Sequence, residues 1–505
     1  MAGQWRDLEL GFTVDLGFSG VNEAGAPTAL APAFEAMAAI ERGAVANVDE
    51  GRAVGHYWLR APELAPDGLG ADIVRVREEC RALATAIHVE RRFRTLLVLG
   101  IGGSALGPQL VADALSEPHD RMRVVFVDNT DPDGFARIVG LLDLSETLVL
   151  CISKSGATPE TRNALVETEA AFLRAELPFE PQAIAITGVG SVLWERAAGW
   201  RARLPMWDWV GGRTSVTSAV GLLPAFLQGV DVDALLAGAA AMDACTRRPD
   251  YATNPAARLA WAWHELSGAG RNTRAMVLLH YRDRLVLLSR YLQQLVMESV
   301  GKTLDRAGRP VHTGLTVYGN KGSTDQHAYV QQLRDGPDDH FVVFVAVQDD
   351  GWYGASDVEP GVDSGDYLQG LFLGTRQALH GAGHPSITLT LSQLDAFRLG
   401  AVIALHERAV GLFAELINVN AYHQPGVEAG KKAAAQVLAL KPKLLAALEA
   451  GEATAGELLE RAGMEDAAST RANAHAILWR LAANERGVAV VPGDTASADR
   501  FSRRE

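Results

Sequence analysis

The chain contains few cysteines, and it has too few basic residues to balance its acidic ones. Only three cysteines occur in 505 residues, and Cys80, Cys151 and Cys245 lie far apart. Their number and spacing exclude a disulfide framework and a zinc motif, and they indicate a reducing compartment. Lysine and arginine total 47 against 61 aspartates and glutamates, so the net charge is −14. This balance argues against broad binding of nucleic acids or anionic membranes, but it allows a small anion at a local positive site.

Long apolar runs are also missing. No run reaches the roughly 18 residues that a membrane-spanning helix needs. The N-terminal stretch MAGQWRDLELGFTVD lacks the basic start and apolar core of a signal peptide. We therefore predict a cytoplasmic protein without a membrane span. Its 48% hydrophobic and 21% charged residues are typical of a globular protein, and 505 residues are too many for one ordinary core.

Two sets of short apolar runs alternate with helical patterns. The first set covers residues 95–100, 123–128, 147–153 and 182–187, with helical patterns at 132–142 and 159–176. The second covers 274–281, 314–320, 340–348 and 386–391, with its clearest helical pattern at 284–300. Alternation of this kind predicts parallel sheets covered by helices on both faces. The predicted fold class is α/β, with two similar subdomains joined by a helical stretch at 216–270.

This pattern divides the chain into four parts. We expect an N-terminal arm or helical cover at 1–70, a first subdomain at 71–235, a second at 236–425 and a C-terminal helical arm at 426–505. The final stretch ADRFSRRE is expected to fray.

A glycine-rich stretch, GIGGSALGP at 100–108, directly follows a predicted strand and opens a helix. Gly100, Gly102 and Ala105 fit the G-x-G-x-x-A pattern, and Asp128 ends the next strand. This is the dinucleotide fingerprint in its expected context. A helix N-terminus attracts any phosphate, however, so a sugar phosphate would also fit, as would a purely structural turn.

Two further loops offer anion-binding groups. SKSGATPET at 153–161 also follows a strand, and its hydroxyls, backbone amides and Lys154 are suited to a phosphate monoester. The alternative is an ordinary helix cap with spare hydroxyls. WDWVGGRTS at 207–215 places Arg213 directly after a glycine pair, where a fixed cation could stabilise developing negative charge. The alternative there is a surface turn.

The helical stretch YLQQLVMESVGK at 291–302 places Gln294 and Glu298 one turn apart, off the buried stripe. Glu298 is a candidate base, although an ordinary pair with Lys302 on a solvated face explains it at least as well. GNKGSTDQHAYVQQL at 319–333 carries His327 near the start of a helix. This histidine could be an acid, a base or a structural residue.

NAYHQPGVEAGKKAA at 420–434 contains a turn at Gln424 followed by a helix that carries Lys431. The plain alternative is a pair of Glu428 with Lys432, with Lys431 solvated. No P-loop, zincin spacing or nucleophile elbow is present in the sequence, and no metal site is evident.

With these stretches together, the chain resembles the bacterial form of the glucose-6-phosphate isomerase family. The resemblance runs from about residue 94 to 435, with the motifs in family order. It implies two sugar-isomerase (SIS-type) subdomains with parallel-rich sheets, and reversible isomerisation of glucose 6-phosphate and fructose 6-phosphate. The reaction it implies opens the sugar ring and moves a proton through a cis-enediol. It implies no cofactor and no metal.

The resemblance also assigns roles to individual residues. The implied catalytic residues are the base Glu298, Arg213 near the reacting carbons, and His327 and Lys431 for ring opening. The implied substrate-binding residues are Gly103, Ser104, Ser153, Lys154, Ser155, Thr158, Glu160, Gln294 and Gln424. In the family the histidine comes from the neighbouring subunit, so a homodimer is expected. The acidic charge balance predicts that it binds no nucleic acid and no membrane.

Two other classes of function stay open at this point. GIGGSA and Asp128 would also suit an NAD-dependent dehydrogenase, although a second phosphate loop and Glu298 count against it. A non-catalytic sugar-phosphate sensor would need the phosphate loop but not the base. Relaxed specificity, with mannose 6-phosphate as an additional substrate, is compatible with the sequence.

Overall fold

The computed structural model describes residues 3–66, 68–351 and 356–504, and the side chains of all of these except 427–429 and 431. They form two compact units, one ending at His423 and one beginning at Gln424. In the part of the chain described, no helix is both long and apolar enough to cross a membrane.

The strands and helices alternate along most of the chain. The strands are β1 (Gln4–Asp7), β2 (Phe12–Asp15), β3 (Thr95–Leu99), β4 (Arg123–Val127), β5 (Thr147–Ile152), β6 (Ala183–Thr187), β7 (Ala202–Pro205), β8 (Ala275–Tyr281), β9 (Lys302–Leu304), β10 (Pro310–Thr313), β11 (Val317–Tyr318), β12 (His340–Val347), β13 (Asp357–Glu359), β14 (Val362–Asp363), β15 (Ser386–Leu391), β16 (Ala453–Thr454), β17 (Val488–Val491) and β18 (Arg500–Arg503). The α-helices are α1 (Ala26–Glu41), α2 (Leu69–Glu90), α3 (Leu106–Ala114), α4 (Pro132–Val139), α5 (Pro159–Arg174), α6 (Val192–Arg196), α7 (Ala219–Gln228), α8 (Val232–Thr246), α9 (Pro255–Leu266), α10 (Leu288–Leu292), α11 (Val330–Asp335), α12 (Ser364–Gly381), α13 (Ala396–Leu416), α14 (Pro425–Ala447), α15 (Ala455–Arg461) and α16 (Ala468–Ala483).

The first sheet has five parallel strands in the order β4-β3-β5-β6-β7. Its central strands are continuous apolar runs, and β5 and β6 are buried at every residue. Helices cover both faces, so both faces of each strand must be apolar. Two separate clusters of buried residues lie against this sheet. The predicted α/β class with parallel sheets is confirmed.

The second sheet has six strands in the order β1-β2-β15-β12-β8-β11. Its four later strands are mutually parallel, whereas β2 pairs antiparallel with β15 and β1 with β2. This corrects the expected helical cover at the N-terminus, whose first residues are strands at the edge of this sheet. The missed signal is the alternation of buried Phe12, Val14 and Leu16 with more exposed neighbours.

The predicted helix at 284–300 is broken into three pieces. A 3₁₀ turn (Asp283–Leu285) precedes α10, and a π-helical turn (Gln293–Glu298) follows it. The apolar stripe of the prediction is nevertheless correct, because Leu285, Leu288, Leu292 and Leu295 are all buried. A π turn widens the helix and is often found at functional sites.

Five charged side chains meet in the interior of the first unit. This buried ion cluster consists of Glu41, Arg60, Asp243, Glu407 and Arg408. Arg60 Nε lies 2.6 Å from Asp243 Oδ2, and Arg60 also pairs with Glu407. Arg408 pairs with Glu41 and lies 3.4 Å from Asp243 Oδ1. The cluster joins α1, α8 and α13 to the 3₁₀ turn that ends at Arg60.

The second unit contains α14, α15 and α16 and a small antiparallel sheet in the order β16-β18-β17. The expected fraying of the last residues is wrong, because β18 is the central strand of this sheet. Phe501 is completely buried in its core, and the Asp499 carboxylate accepts hydrogen bonds from His475 and Trp479, each at 2.7 Å.

Candidate functional site

The first sheet reverses its strand order at β3. The chain passes from β3 to β4 on one side and then to β5 on the other, so β3 and β5 are neighbours. Ligands of open α/β sheets bind at the carboxyl ends of strands at such a switch point. The glycine loop (residues 100–104) follows β3 and the serine loop (residues 153–158) follows β5. Both loops predicted to hold phosphate therefore lie at the switch point.

The serine loop is folded by its own hydroxyls. Ser153 Oγ accepts a hydrogen bond from the Gly156 amide at 3.1 Å and donates to Thr158 Oγ1 at 3.3 Å. Ser155 Oγ accepts one from the Ala157 amide at 3.2 Å, and this serine is exposed. Thr158 precedes α5, whose N-terminus adds a positive partial charge. The loop has the composition of an anion site.

Lys154 points back toward the protein. Its Nζ donates hydrogen bonds to the backbone carbonyls of Asp208 at 2.8 Å and Val210 at 3.1 Å. Burial, together with the positive charge of Arg52, lowers the pKa of Lys154 to about 8. This lysine thus joins the serine loop to the arginine loop (residues 207–215), a role the sequence did not suggest.

The glycine and arginine loops are in direct contact. A Cβ atom at Gly103 would lie 1.9 Å from the carbonyl oxygen of Gly212, so only glycine permits this approach. Ser215 Oγ donates to the Gly103 carbonyl at 3.3 Å. Ser104 ends the short 3₁₀ turn of the glycine loop and is half-buried. The contact places the residue after Gly212, Arg213, beside the switch point.

Arg213 and Glu298 form the charged centre of the site. Arg213 Nη1 lies 3.0 Å from Glu298 Oε2, with side chains 7% and 19% exposed. Arg213 Nε also donates to Ser299 Oγ at 2.8 Å. Burial lowers the pKa of Arg213, and the charge of Glu298 opposes that effect. A carboxylate that keeps some exposure beside a fixed cation can take a proton while the cation stabilises negative charge on a substrate.

Gln294 lies in the π-helical turn together with Glu298. A Cβ atom at Gly102 would lie 3.0 Å from Gln294 Nε2, so this amide is against the glycine loop. The π turn belongs to the segment after β8, the strand at which the second sheet reverses its order. The structure therefore brings Gln294, Glu298, Arg213 and the glycine loop together.

His327 is the exposed last residue of a 3₁₀ turn (Asp325–His327) that follows β11. Asp325 holds this turn, because its Oδ2 accepts hydrogen bonds from the Asn320 amide at 3.0 Å and the Tyr329 hydroxyl at 2.6 Å. Among the described residues, no hydrogen bond or ion pair joins His327 to Glu298 or to the glycine loop.

The remaining predicted residues, Glu160, Gln424 and Lys431, lie on or directly before α5 and α14. Glu160 is half-buried in the first turn of α5. Gln424 is exposed and is the first residue of the second unit, directly before α14. Lys431 lies on α14, but its side chain is outside the described residues.

Asp128, the acidic residue of the dinucleotide fingerprint, accepts a hydrogen bond from Gln109 Nε2 at 2.9 Å. The carboxylate that a ribose would need is thus engaged by α3. In the described residues, no three histidine, cysteine or acidic side chains are grouped so that they could hold a metal ion.

Sequence reasoning missed three residues around Arg213. These are Ser299, Lys302 and His423. Arg213 Nη2 donates to the carbonyl of Ala421 at 2.6 Å and to that of His423 at 3.1 Å. Lys302 Nζ donates to the carbonyl of Glu298 at 2.7 Å and to that of His423 at 3.0 Å. For Lys302, the sequence predicts only a solvated pair with Glu298, so it carries no signal for these two carbonyl contacts.

The chain resembles known proteins over most of its length. A sequence profile of phosphoglucose isomerases matches residues 29–351 and 372–451. The chain is 55% identical over 480 residues to the glucose-6-phosphate isomerase of Synechococcus sp. strain JA-3-3Ab, covering 91% of this chain and 89% of that one. It is 51% identical, over an alignment of 517 positions, to the glucose-6-phosphate isomerase of Geobacter sulfurreducens, and the alignment covers 99% of this chain and 97% of that one. The crystal structure of a glucose-6-phosphate isomerase from Chlamydia trachomatis superposes with a TM-score of 0.78 at 27% identity, covering 86% and 89%.

The two parallel-rich sheets and the loops at their switch points define the class of protein, an α/β sugar isomerase. More closely, the chain belongs to the phosphoglucose isomerase family. The resemblance inferred from the sequence motifs is thereby confirmed.

Proposed function

We propose that this chain interconverts glucose 6-phosphate and fructose 6-phosphate in glycolysis and gluconeogenesis. The observation that carries the proposal is the pairing of Glu298 with Arg213 at 3.0 Å, next to the loops of the switch point. An aldose–ketose isomerisation needs one carboxylate that moves a proton between adjacent carbons, and one cation for the oxygen that becomes negative. The membership in the phosphoglucose isomerase family supports the same reaction.

The proton transfer uses Glu298 as base and then as acid. Its carboxylate removes the proton from C2 of the open-chain aldose, and the electrons of that C–H bond form the C1–C2 double bond of a cis-enediolate. Arg213 stabilises the negative charge on the enediolate oxygen. A proton then passes from the C2 hydroxyl to the C1 oxygen, and Glu298 returns its own proton to C1 as the C2 carbonyl forms, which yields the ketose. One side chain serves both steps because both carbons present the same face.

Substrate binding is assigned to the loops around this pair. Backbone amides and hydroxyls hold the phosphate, and this remote contact orients the reacting carbons. The proposed binding residues are Gly103, Ser104, Ser153, Lys154, Ser155, Thr158, Glu160, Gln294 and Gln424. Lys154 supplies charge near the phosphate while its ammonium holds the arginine loop.

Ring opening is assigned to His327 and Lys431, which move protons between the ring oxygen and the anomeric hydroxyl. We propose that the enzyme is a homodimer and that the partner subunit's His327 completes each site. The exposure of His327 supports this arrangement. A cytoplasmic location, no cofactor and no nucleic-acid partner complete the proposal.

We also propose that residues 71–235 and 236–425 are the two sugar-isomerase subdomains, flanked by arms at 1–70 and 426–505. Support comes from the placement of the five-stranded sheet within the first range and of the four parallel strands of the larger sheet within the second.

The test is the formation of glucose 6-phosphate from fructose 6-phosphate, coupled to an NADP-dependent dehydrogenase, with and without a chelator. We expect turnover that the chelator does not change. Absence of turnover, with fructose 6-phosphate still raising the melting temperature, would contradict the proposal in favour of a sensor. Binding of NAD without either effect would favour the dehydrogenase.

A further inference from the structure

Lys302 occupies an unusual position for a lysine. It follows Glu298 by four residues, but the helix ends before it, and Lys302 is the first residue of β9. The residue is only 5% exposed. Its Nζ donates a 2.7 Å hydrogen bond to the backbone carbonyl of Glu298 and a 3.0 Å hydrogen bond to that of His423. The solvated pair of Glu298 and Lys302 that the sequence allowed is therefore not formed.

Burying this ammonium group is costly. None of the ion pairs among the described residues includes Lys302, so carbonyl oxygens rather than a carboxylate surround its charge. Burial, with the nearby charge of Arg213, lowers the pKa of Lys302 to about 7. The charges of Glu298 and Asp49 oppose this effect only in part, and burying a cation without a paired carboxylate costs folding free energy. A lysine kept in such a place, beside a candidate active site, calls for a role in that site.

The contacts of Lys302 close a ring through the two charged groups of the site. The carbonyl of His423 accepts from both Lys302 Nζ at 3.0 Å and Arg213 Nη2 at 3.1 Å. Arg213 reaches the Glu298 carboxylate, and Lys302 reaches the Glu298 backbone. Glu298 is thus tied to Arg213 directly through its side chain and indirectly through its own carbonyl, Lys302 and His423.

We propose that Lys302 is a positioning residue that fixes the carboxylate of Glu298 and the guanidinium of Arg213 relative to each other for proton transfer. Lys302 acts through its two hydrogen bonds and does not touch the substrate in this account. The inference rests on the proposed function, because it takes Glu298 as the base and Arg213 as the stabilising cation.

A positioning role and a merely structural role predict different kinetics. Geometry that matters in the transition state changes kcat, whereas binding of the distant phosphate group is left nearly intact. A lysine that only fills space would change stability, and its loss would leave kcat of the folded enzyme unchanged. A comparison of the changes in kcat and in KM therefore decides between the two roles.

The test compares Lys302→Met, Lys302→Arg and the control Lys443→Met in the full-length chain. Methionine keeps the apolar stem and loses both hydrogen bonds, arginine keeps donors, and Lys443 is exposed on α14. We expect Lys302→Met to lower kcat by about 10- to 100-fold, with KM changed less than about threefold. Lys302→Arg should recover at least about a third of the decrease in log kcat. Lys443→Met should match the wild type, and inorganic phosphate should raise the melting temperature of all variants equally.

Two results would overturn the inference. One is a kcat for Lys302→Met within twofold of the wild type, and the other is a loss that arginine does not restore at all. If the methionine variant fails to fold, Lys302→Gln, which retains one donor group, is judged by the same limits. Glu298→Gln separates this inference from the proposed function. Near-normal turnover in that variant would refute the assignment of Glu298 as the base, and with it the proposed function. An inactive Glu298→Gln with a normal Lys302→Met would refute only the positioning role.

Discussion

Replacement of Asp243 by asparagine tests the buried ion cluster of the first unit. The carboxylate is fully buried, with Oδ2 2.6 Å from Arg60 Nε and Oδ1 3.1 Å from Arg60 Nη2. Burial alone would raise the pKa of Asp243, but the charges of Arg60 and Arg408 hold it below its usual range. The substitution Asp243→Asn keeps the side-chain volume and removes the charge, so both arginines would lose their shared anion.

We expect Asp243→Asn to lower the free energy of unfolding by about 3–5 kcal/mol, because Arg60 and Arg408 would keep only Glu407 and Glu41 as carboxylate partners and the buried cluster would gain one unit of positive charge. That is a large part of the roughly 5–15 kcal/mol by which a domain is stable. The assay is urea unfolding followed by tryptophan fluorescence and circular dichroism. The matched control is Asp338→Asn, whose partner Arg274 is on the surface, with side chains 54% and 32% exposed. Its cost should be below about 1 kcal/mol. Equal costs for the two variants would refute the reasoning.

Two further predictions concern the glycine loop and the same cluster. Gly103→Ala should lower turnover at least about tenfold, because the added Cβ would overlap the Gly212 carbonyl at 1.9 Å and separate the loops. Its control is Gly374→Ala at an exposed position of α12, which should raise the free energy of unfolding by about 0.5–1 kcal/mol. Unchanged turnover in Gly103→Ala would contradict the packing of the two loops. Burial raises the pKa of Glu407 to about 7 although Arg60 opposes this, so the folded state holds an extra proton between about pH 4.5 and 7. The contribution of this proton to the free energy of unfolding is complete below about pH 4.5. It falls by up to about 1.4 kcal/mol per pH unit as the pH rises from there to about 7. Urea unfolding of Glu407→Gln at several pH values should show no such fall in stability with pH. An identical pH dependence in the variant and the wild type would exclude Glu407 as its cause.

Most strands of the two sheets could be predicted because their burial leaves a direct mark on the sequence, whereas β1, β2 and β7 were missed. A parallel strand covered on both faces needs a continuous apolar run, and TLVLCI of β5 and AIAIT of β6 are such runs. By contrast, β1 and β2 have four residues each and lie at a sheet edge with polar positions between buried ones. Their pattern is too short to stand out from a loop.

Arg213, Glu298 and Gln294 could be singled out from the sequence, but their contacts could not be predicted. Arg213 and Glu298 come from segments that follow different sheets, and nothing in either motif shows that they pair. The π turn at Gln293–Glu298 leaves the apolar stripe intact, so hydrophobic periodicity does not reveal it. The expected pair of Glu298 with Lys302 assumed that the helix continues. Because it ends first, the lysine side chain turns back to the Glu298 carbonyl instead.

The central claim is that Glu298 moves the proton between C2 and C1. The most direct measurement is the exchange of the C2 hydrogen of glucose 6-phosphate with deuterated water, followed by NMR in the wild type and in Glu298→Gln. We expect the variant to lose exchange and turnover together by about 10²–10⁴-fold, since its amide cannot accept the proton. Inorganic phosphate should still raise its melting temperature as in the wild type, which shows that the loops are intact. Exchange and turnover within tenfold of the wild type would contradict the assignment of Glu298 as the base.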